Sequence, residues 1–242
     1  SICRIDQPDP VAAWQAHDAQ LTARADYLTA KAYAAFHYTA PGTDLTIGMP
    51  EGALWEGGGS NTQGGIYSIA NLPTEEVFSL PHRERIDGTI RATRPLSYNG
   101  NLIEDFALTF EKGRVVAHSA RQGADLLVQL VDTGEGSRRL GEIALVPYSS
   151  PISQTGILFY DGLVDENAAC HLAFGRAYRS SLKGGEGMTT EQFMAAGGND
   201  APVHVDFMVG SNELDVDGIT RDGTVAPVLR KGEWAFTLRS RI

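Results

Sequence analysis

From Phe36 to its end, the chain is cut at short intervals by glycine, proline, asparagine and aspartate, and the pieces between the cuts are β-prone. DLTIGM, IYSIANL, GTIRATRPL, ALTFEKGRVVAHSA, GEIALVP and GILFYDGL carry the β-branched and aromatic residues that suit a pleated, half-buried surface. With so little chain between neighbours, antiparallel pairing is the expected connection. ALTF-EKG-RVVAH reads as a hairpin turning at Lys112-Gly113, and the stretch from Asp206 to Phe236 as successive hairpins turning at Asp217-Gly218, Asp222-Gly223 and Lys231-Gly232. Helical spacing of apolar residues occurs in ARQGADLLVQLVDT (120–133) and again in DENAACHLAFGRAY (165–178). Residues 9–37 open with Asp9-Pro10, an N-cap and first-turn pair, and predict a helix or two, broken somewhere in the twenties or thirties. No repeat, low-complexity tract or linker interrupts 1–242. The expectation is one α+β domain: a largely antiparallel mixed sheet with packed helices and a helical N-terminal lead-in.

The charge balance excludes several functions. Thirty acidic against twenty basic residues leave a net charge of −10, so a grip on phosphate backbones or anionic membranes is not expected. Two cysteines, Cys3 and Cys170, make no disulfide framework and fit a reducing, cytoplasmic setting. No run reaches the ~18 apolar residues of a membrane span. SICRIDQPDPVAAW has neither the basic nor the apolar region of a signal peptide and lacks an initiator methionine, which reads as a processed or excised piece of a longer protein.

Several polar residues sit where apolar ones would be simpler. In VHVDFMV, His204 and Asp206 are two apart in a strand-like run and project from one face, while Val203, Val205 and Phe207 take the other. That is either half of a metal site or a structural His–Asp hydrogen bond. Glu142 enters the apolar run GEIALVP, where a buried carboxylate needs a cation or hydrogen bonds. Exposure at a strand end is the alternative. Glu75 and Glu76 follow Pro73-Thr74, and as neighbours in an extended chain only one of them is expected to face a site. On a helix starting near Asn167, His171 lies one turn in and Tyr178 seven residues further on the same stripe, about 10 Å along the axis. Both would border one cleft, with Glu166 at the first turn; equally, Cys170 and His171 could be core filler.

Other motifs carry nothing. ELDVDG (213–218) imitates the start of a calcium loop, but Thr224 stands at the twelfth position, so a turn is expected. EGGGSNTQGG (56–65) precedes a strand rather than a helix and has no Gly-Lys-Ser/Thr, so it is no phosphate cradle. The Gly-x-Ser-x-Gly elbow is absent. Cys170 stays a candidate nucleophile, but not one paired with the adjacent His171, because helix neighbours point ~100° apart.

Six separated blocks, in order, resemble one family. They are GMPEGALWEGGGSNTQGG, ANLPTEEVFS, RPLSYNGNLIEDFALTFEKGRVV, LGEIALVPYSSPIS, GILFYDGLVDENAACHLAFGRAY and HVDFMVGSNELDVDGI. The family is that of the thermophilic metallo-aminopeptidases, the aminopeptidase T, aminopeptidase S and PepS group, and the resemblance runs from about Trp14 to the C-terminus. It implies an exopeptidase that removes N-terminal residues from peptides through two divalent ions, drawn from Zn, Co, Mg and Mn. Carried over by position, the ligands are Glu76, Glu142, Glu166, His171, His204 and Asp206. Four carboxylates and two imidazoles suit Zn, Co or Mn better than calcium. The surplus of carboxylates fits a bridge, for which Glu142 is the candidate. Two ions ~3.5–4 Å apart would hold a hydroxide between them and polarise the scissile carbonyl. Tyr178 would donate to the oxyanion, and Glu75, beside Glu76, is the candidate for taking the water's proton.

The resemblance also implies that 1–242 is the C-terminal catalytic domain of a longer chain, whose N-terminal domain is absent here and whose full-length form is a homodimer. Two rivals follow: a metal-binding domain left catalytically inactive by truncation, and a β-rich carbohydrate- or peptide-binding module with structural histidines.

Overall fold

The protein is described by a computed structural model covering residues 1–238. The lead-in is a single unbroken helix, α1 (Pro10–Lys31), rather than two. The Asp9 carboxylate accepts from the Ala12 N–H at 3.0 Å, and Pro10 sits where its missing donor costs nothing. The helix ends where Ala32 turns left-handed (φ 46°) and its N–H bonds back to the Leu28 and Thr29 carbonyls. Leu21, Ala25 and Leu28 form its buried stripe.

The strands follow as β1 (Ala35–Ala40), β2 (Thr43–Gly48), β3 (Ser60–Asn61), β4 (Tyr67–Ser68), β5 (Val77–Ser79) and β6 (Ile86–Arg91). Next come β7 (Leu96–Tyr98), β8 (Asn101–Ile103), β9 (Ala107–Glu111), β10 (Arg114–Ser119) and helix α2 (Ala124–Val131). The chain continues with β11 (Leu140–Leu145), α3 (Gly162–Glu166), β12 (His171–Gly175) and α4 (Thr190–Ala195). It closes with β13 (His204–Met208), β14 (Asp215–Ile219), β15 (Val225–Arg230) and β16 (Glu233–Trp234).

Eight strands form one antiparallel sheet, ordered β10-β9-β6-β2-β1-β14-β15-β16. A second antiparallel sheet is ordered β13-β12-β11-β5. The α+β class expected from the sequence is what the molecule adopts. The β9–β10 hairpin turns at Lys112-Gly113 as read, with φ of 49° and 76°. Both residues are left-handed, the signature of a two-residue hairpin loop, and a Cβ on Gly113 would overlap the Arg83 carbonyl.

Three local expectations are corrected. Asp217-Gly218 lies inside β14 rather than at a turn, so ELDVDG is mostly strand; Gly218 is there because the Tyr33 ring packs where its side chain would be. GILFYDGL (156–163) forms no strand: Ile157 and Tyr160 are exposed, Tyr160 is left-handed, and Asp161 caps α3 by accepting from the Val164 N–H. DENAACHLAFGRAY is not one helix. α3 ends at Glu166, and His171 begins β12. Residues 168–174 are apolar, apart from His171, and buried at every position, because β12 is an inner strand covered on both faces. A run without alternation gives periodicity nothing to separate strand from helix.

Candidate metal centre

The small sheet explains why polar residues occur in otherwise apolar runs. Its register aligns Ala144 with His171, Glu142 with Ala173 and Asp206, and Gly175 with His204. Counting by twos along each strand puts Glu142, His171, His204 and Asp206 on one face. Glu76, two residues before Phe78 in β5, belongs to the same face, since Phe78 pairs with Ala144. The opposite face carries Val77, Ile143, Leu145, Leu172, Phe174 and Phe207, all buried in the main core. Every strand therefore spends one face on packing and offers side chains to a common patch on the other. Ala144 and Ala173, between the polar groups, are too small to fill it.

The ligand atoms form two groups of three. Glu76, Glu142 and His171 make one; Glu142, His204 and Asp206 make the other, and in each the atoms lie within 4.8 Å of one another. His171 Nε2 is 3.0 Å from Glu76 Oε2 and 3.3 Å from Glu142 Oε1. His204 Nε2 is 3.6 Å from Glu142 Oε2 and 3.5 Å from Asp206 Oδ1. Both imidazoles are oriented from behind: His171 Nδ1 lies 3.1 Å from the Ala169 carbonyl, and His204 Nδ1 lies 2.7 Å from that of Arg176. Those carbonyls can only accept, so Nδ1 carries the proton in each ring and the Nε2 lone pair points into the patch when the ring is neutral. This is the arrangement that holds histidine as a metal ligand.

His171 Nε2, Glu76 Oε2 and Asp206 Oδ1 are buried, and none has a well-aligned hydrogen-bond partner. Orphaned polar atoms are costly, and three converging on one patch fit cations as the missing partners. The protonation of the metal-free cluster agrees. Burial, with Asp206 and Glu76 nearby, pushes the Glu142 carboxyl up to about 7 against the pull of His171. Burial, then Glu76, Asp206 and Glu142, takes Glu166 to about 9. Burial disfavours charge on the histidines, but the carboxylates outweigh it, raising His204 to about 9 and His171 well above its ordinary value. Asp206, despite burial, is held low by His204 and His171.

Glu166, at the end of α3, stands outside both groups of three but beside them. With His204 and Asp206 it borders a cavity of about 250 Å³. Tyr178 is partly exposed at the rim, its ring 4.9 Å from that of His204. Glu75 is not brought to the patch. Its carboxylate faces the other way, 2.8 Å from Arg4 and 3.4 Å from His17.

Sequence reasoning missed Asn167, which is fully buried. It accepts from the Glu75 N–H at 2.7 Å and donates to the Leu163 carbonyl at 3.0 Å, tying the loop before β5 to α3. Replacing it with alanine orphans those groups and is expected to cost about 1–3 kcal/mol, read as a shift in the denaturation midpoint. The Ala169 and Arg176 carbonyls were also invisible, since a backbone acceptor leaves no mark in residue type.

Cys170 is 1 % exposed, its sulfur lies between the Val146 N–H and carbonyl, and burial pushes the thiol up to about 11. On the native chain at pH 8, iodoacetamide is expected to modify Cys3 and to reach Cys170 only after unfolding, as mapped by mass spectrometry.

Two imidazoles and several carboxylates on one face of an antiparallel sheet make up the donor set of a divalent-metal site. Comparison with known proteins gives the family. The model of the thermophilic metalloproteases (M29) matches residues 1–234, and the chain belongs to that family. It is 49% identical over 237 residues to aminopeptidase 2 of Geobacillus stearothermophilus and 52% identical over 233 residues to aminopeptidase T of Thermus aquaticus. These alignments cover 98% and 96% of this chain but 57% of each relative, so the chain spans little more than half their length. Among solved structures, wild-type AmpT from Thermus thermophilus superposes with a TM-score of 0.89 at 51% identity, over 94% of this chain and 56% of that one. A 2,5-dihydroxypyridine dioxygenase from Pseudomonas putida shares the fold alone, with a TM-score of 0.59 at 15% identity over 96% of this chain and 65% of that one.

Proposed function

We propose that residues 1–242 form the catalytic domain of a metallo-aminopeptidase. In this reading it holds two divalent cations, from among Zn, Co, Mg and Mn, on Glu76, Glu142, Glu166, His171, His204 and Asp206. The observation that carries the reading is Glu142, whose two carboxylate oxygens face different histidines, His171 and His204. A carboxylate so placed belongs to both groups of three and supports a bridging role. Bound cations of this kind supply Lewis acidity toward the scissile carbonyl and a water nucleophile of lowered pKa.

The chain's own groups do the rest. Backbone carbonyls hold both imidazoles with Nε2 toward the patch, so the rings lose a proton to ligate but need not turn. The Tyr178 phenol, raised to about 12 by burial and by Glu142, Asp206 and Glu166, stays protonated and is a donor for an oxyanion at the rim. Glu75, the candidate for taking the water's proton, turns its carboxylate to Arg4 and His17 instead, and no step of this reading uses it. Peptide substrates follow from the relatives' names as aminopeptidases. A homodimer in the longer protein rests on the family resemblance, and a cytoplasmic setting on the two free cysteines. No helix among the described residues is long and apolar enough to cross a membrane.

The test is hydrolysis of aminoacyl-nitroanilides by the purified chain, with elemental analysis alongside. Two ions per chain, activity lost on chelation and restored by cobalt or zinc, are expected. Activity that survives prolonged dialysis against a chelator sinks the reading. The length difference from the relatives favours one alternative, a metal-binding but inactive domain. Two ions per chain without turnover, with turnover in the longer protein, would select it.

A further inference from the structure

We infer that Glu75 is a positioning residue, held by Arg4 so that the adjacent Glu76 is presented to the metal patch. The inference rests on the metal-binding reading above and gives the N-terminal segment a part in it.

The residues around Glu75 are held by three separate parts of the chain. From the segment ahead of α1, the Arg4 guanidinium reaches Glu75 Oε1 at 2.8 Å and lies over the Trp14 ring at 4.6 Å. From α1, His17 Nε2 lies 2.8 Å from the Thr74 carbonyl and 3.4 Å from Glu75 Oε2. From the end of α3, Asn167 accepts the Glu75 N–H. The Trp14 indole donates to the Cys3 carbonyl at 2.9 Å, fixing the strap that carries Arg4. The Glu75 carboxylate is 4 % exposed, and a charged carboxylate buried to that extent is costly unless it is paired.

Adjacent residues in an extended chain point to opposite sides. Fixing Glu75 toward Arg4 therefore fixes Glu76 toward His171, whose Nε2 lies 3.0 Å from its carboxylate. Glu76 lies just ahead of β5, a strand of only three residues that pairs with β11 on one side and is bridged through Phe78 to Glu56 on the other. A clamp behind it does what outer partners do for metal ligands, whose loss typically weakens binding 10–100-fold.

The experiment compares wild type with Arg4→Gln, Arg4→Lys and Glu75→Gln. Zinc affinity is measured by chelator competition, folding by thermal melts, and kcat at saturating zinc. Arg4→Gln and Glu75→Gln should weaken one of the two ions by about 10–100-fold. Arg4→Lys should recover most of that loss, and kcat at saturating metal should stay within about threefold of wild type. Arg4 lies outside every helix and strand, so its variants carry the test if Glu75→Gln fails to fold. Unchanged zinc affinity in folded variants overturns the inference. So does a fully loaded Glu75→Gln with kcat down by ~10² or more, the signature of a proton-transfer residue. A wild-type chain that binds no zinc fails the metal reading itself and takes this inference with it.

Discussion

Glu142→Ala is expected, on the two-ion reading proposed above, to lower metal content from two ions per chain toward zero, whereas His171→Ala should remove one. The difference follows from geometry: Glu142 belongs to both groups of three, and His171 to one. Activity should fall with Glu142→Ala by about 10³-fold or more, since losing a single electrostatic stabiliser of the transition state commonly costs ~10²–10³-fold. Glu142→Gln keeps the size and removes the charge, and should bind metal nearly as poorly. Elemental analysis of the variants side by side decides the matter; equal losses from Glu142→Ala and His171→Ala would refute a shared ligand. Metal uptake should also depend on pH with a definite sign. In the metal-free chain Glu142 titrates near 7 and His204 near 9, and both must shed protons to ligate. Affinity should therefore rise with pH toward about 9 and weaken as pH falls below 7. Calorimetry in buffers of different ionisation enthalpy should register released protons.

Phe207→Ala is expected to produce the largest loss of stability, about 3–5 kcal/mol. The ring is fully buried on the packing face of β13, 4.6 Å from Phe174 and 5.6 Å from Phe106 between ring centroids. Truncation removes apolar burial and leaves a cavity between two aromatic neighbours that cannot close over it. Asp206 is the preceding residue on the other face, so the same cavity lets a ligand-bearing strand shift. Phe207→Leu should cost clearly less. The measurement is the chemical denaturation midpoint of the metal-free chain. Added metal should then restore part of the loss, because ligand binding to the folded state alone adds stability by mass action. A Phe207→Ala midpoint within 1 kcal/mol of wild type would show that the sheet does not rely on this packing.

How much of this was visible in the chain depends on burial. His204 and Asp206 were readable because β13 is an edge strand whose alternation of polar and apolar residues survives. Their facing side was named from spacing two alone. The structure places His171 instead on an inner strand that is apolar at every other position, where helix and strand look alike; the reading as a helix failed there. Glu142 was recognised as out of place in an apolar run, but the run did not say what it faced. For Glu75 and Glu76, adjacency requires that they diverge without saying which one turns inward; in the structure Glu75 faces Arg4, some seventy residues earlier in the chain.

By itself, the sequence determined the local grammar: where α1 starts, where the β9–β10 hairpin turns, which strands alternate, and which polar residues need an explanation. Those follow from dihedral preference, capping and side-chain period, all of which act within a few residues. Tertiary structure alone decided the strand order β13-β12-β11-β5, and with it that groups from positions 76 to 206 share one face. It decided too which backbone carbonyls hold the imidazoles, and which of two neighbouring glutamates reaches them. These depend on register between strands far apart in the chain, where a shift of one residue would turn every ligand to the other side of the sheet.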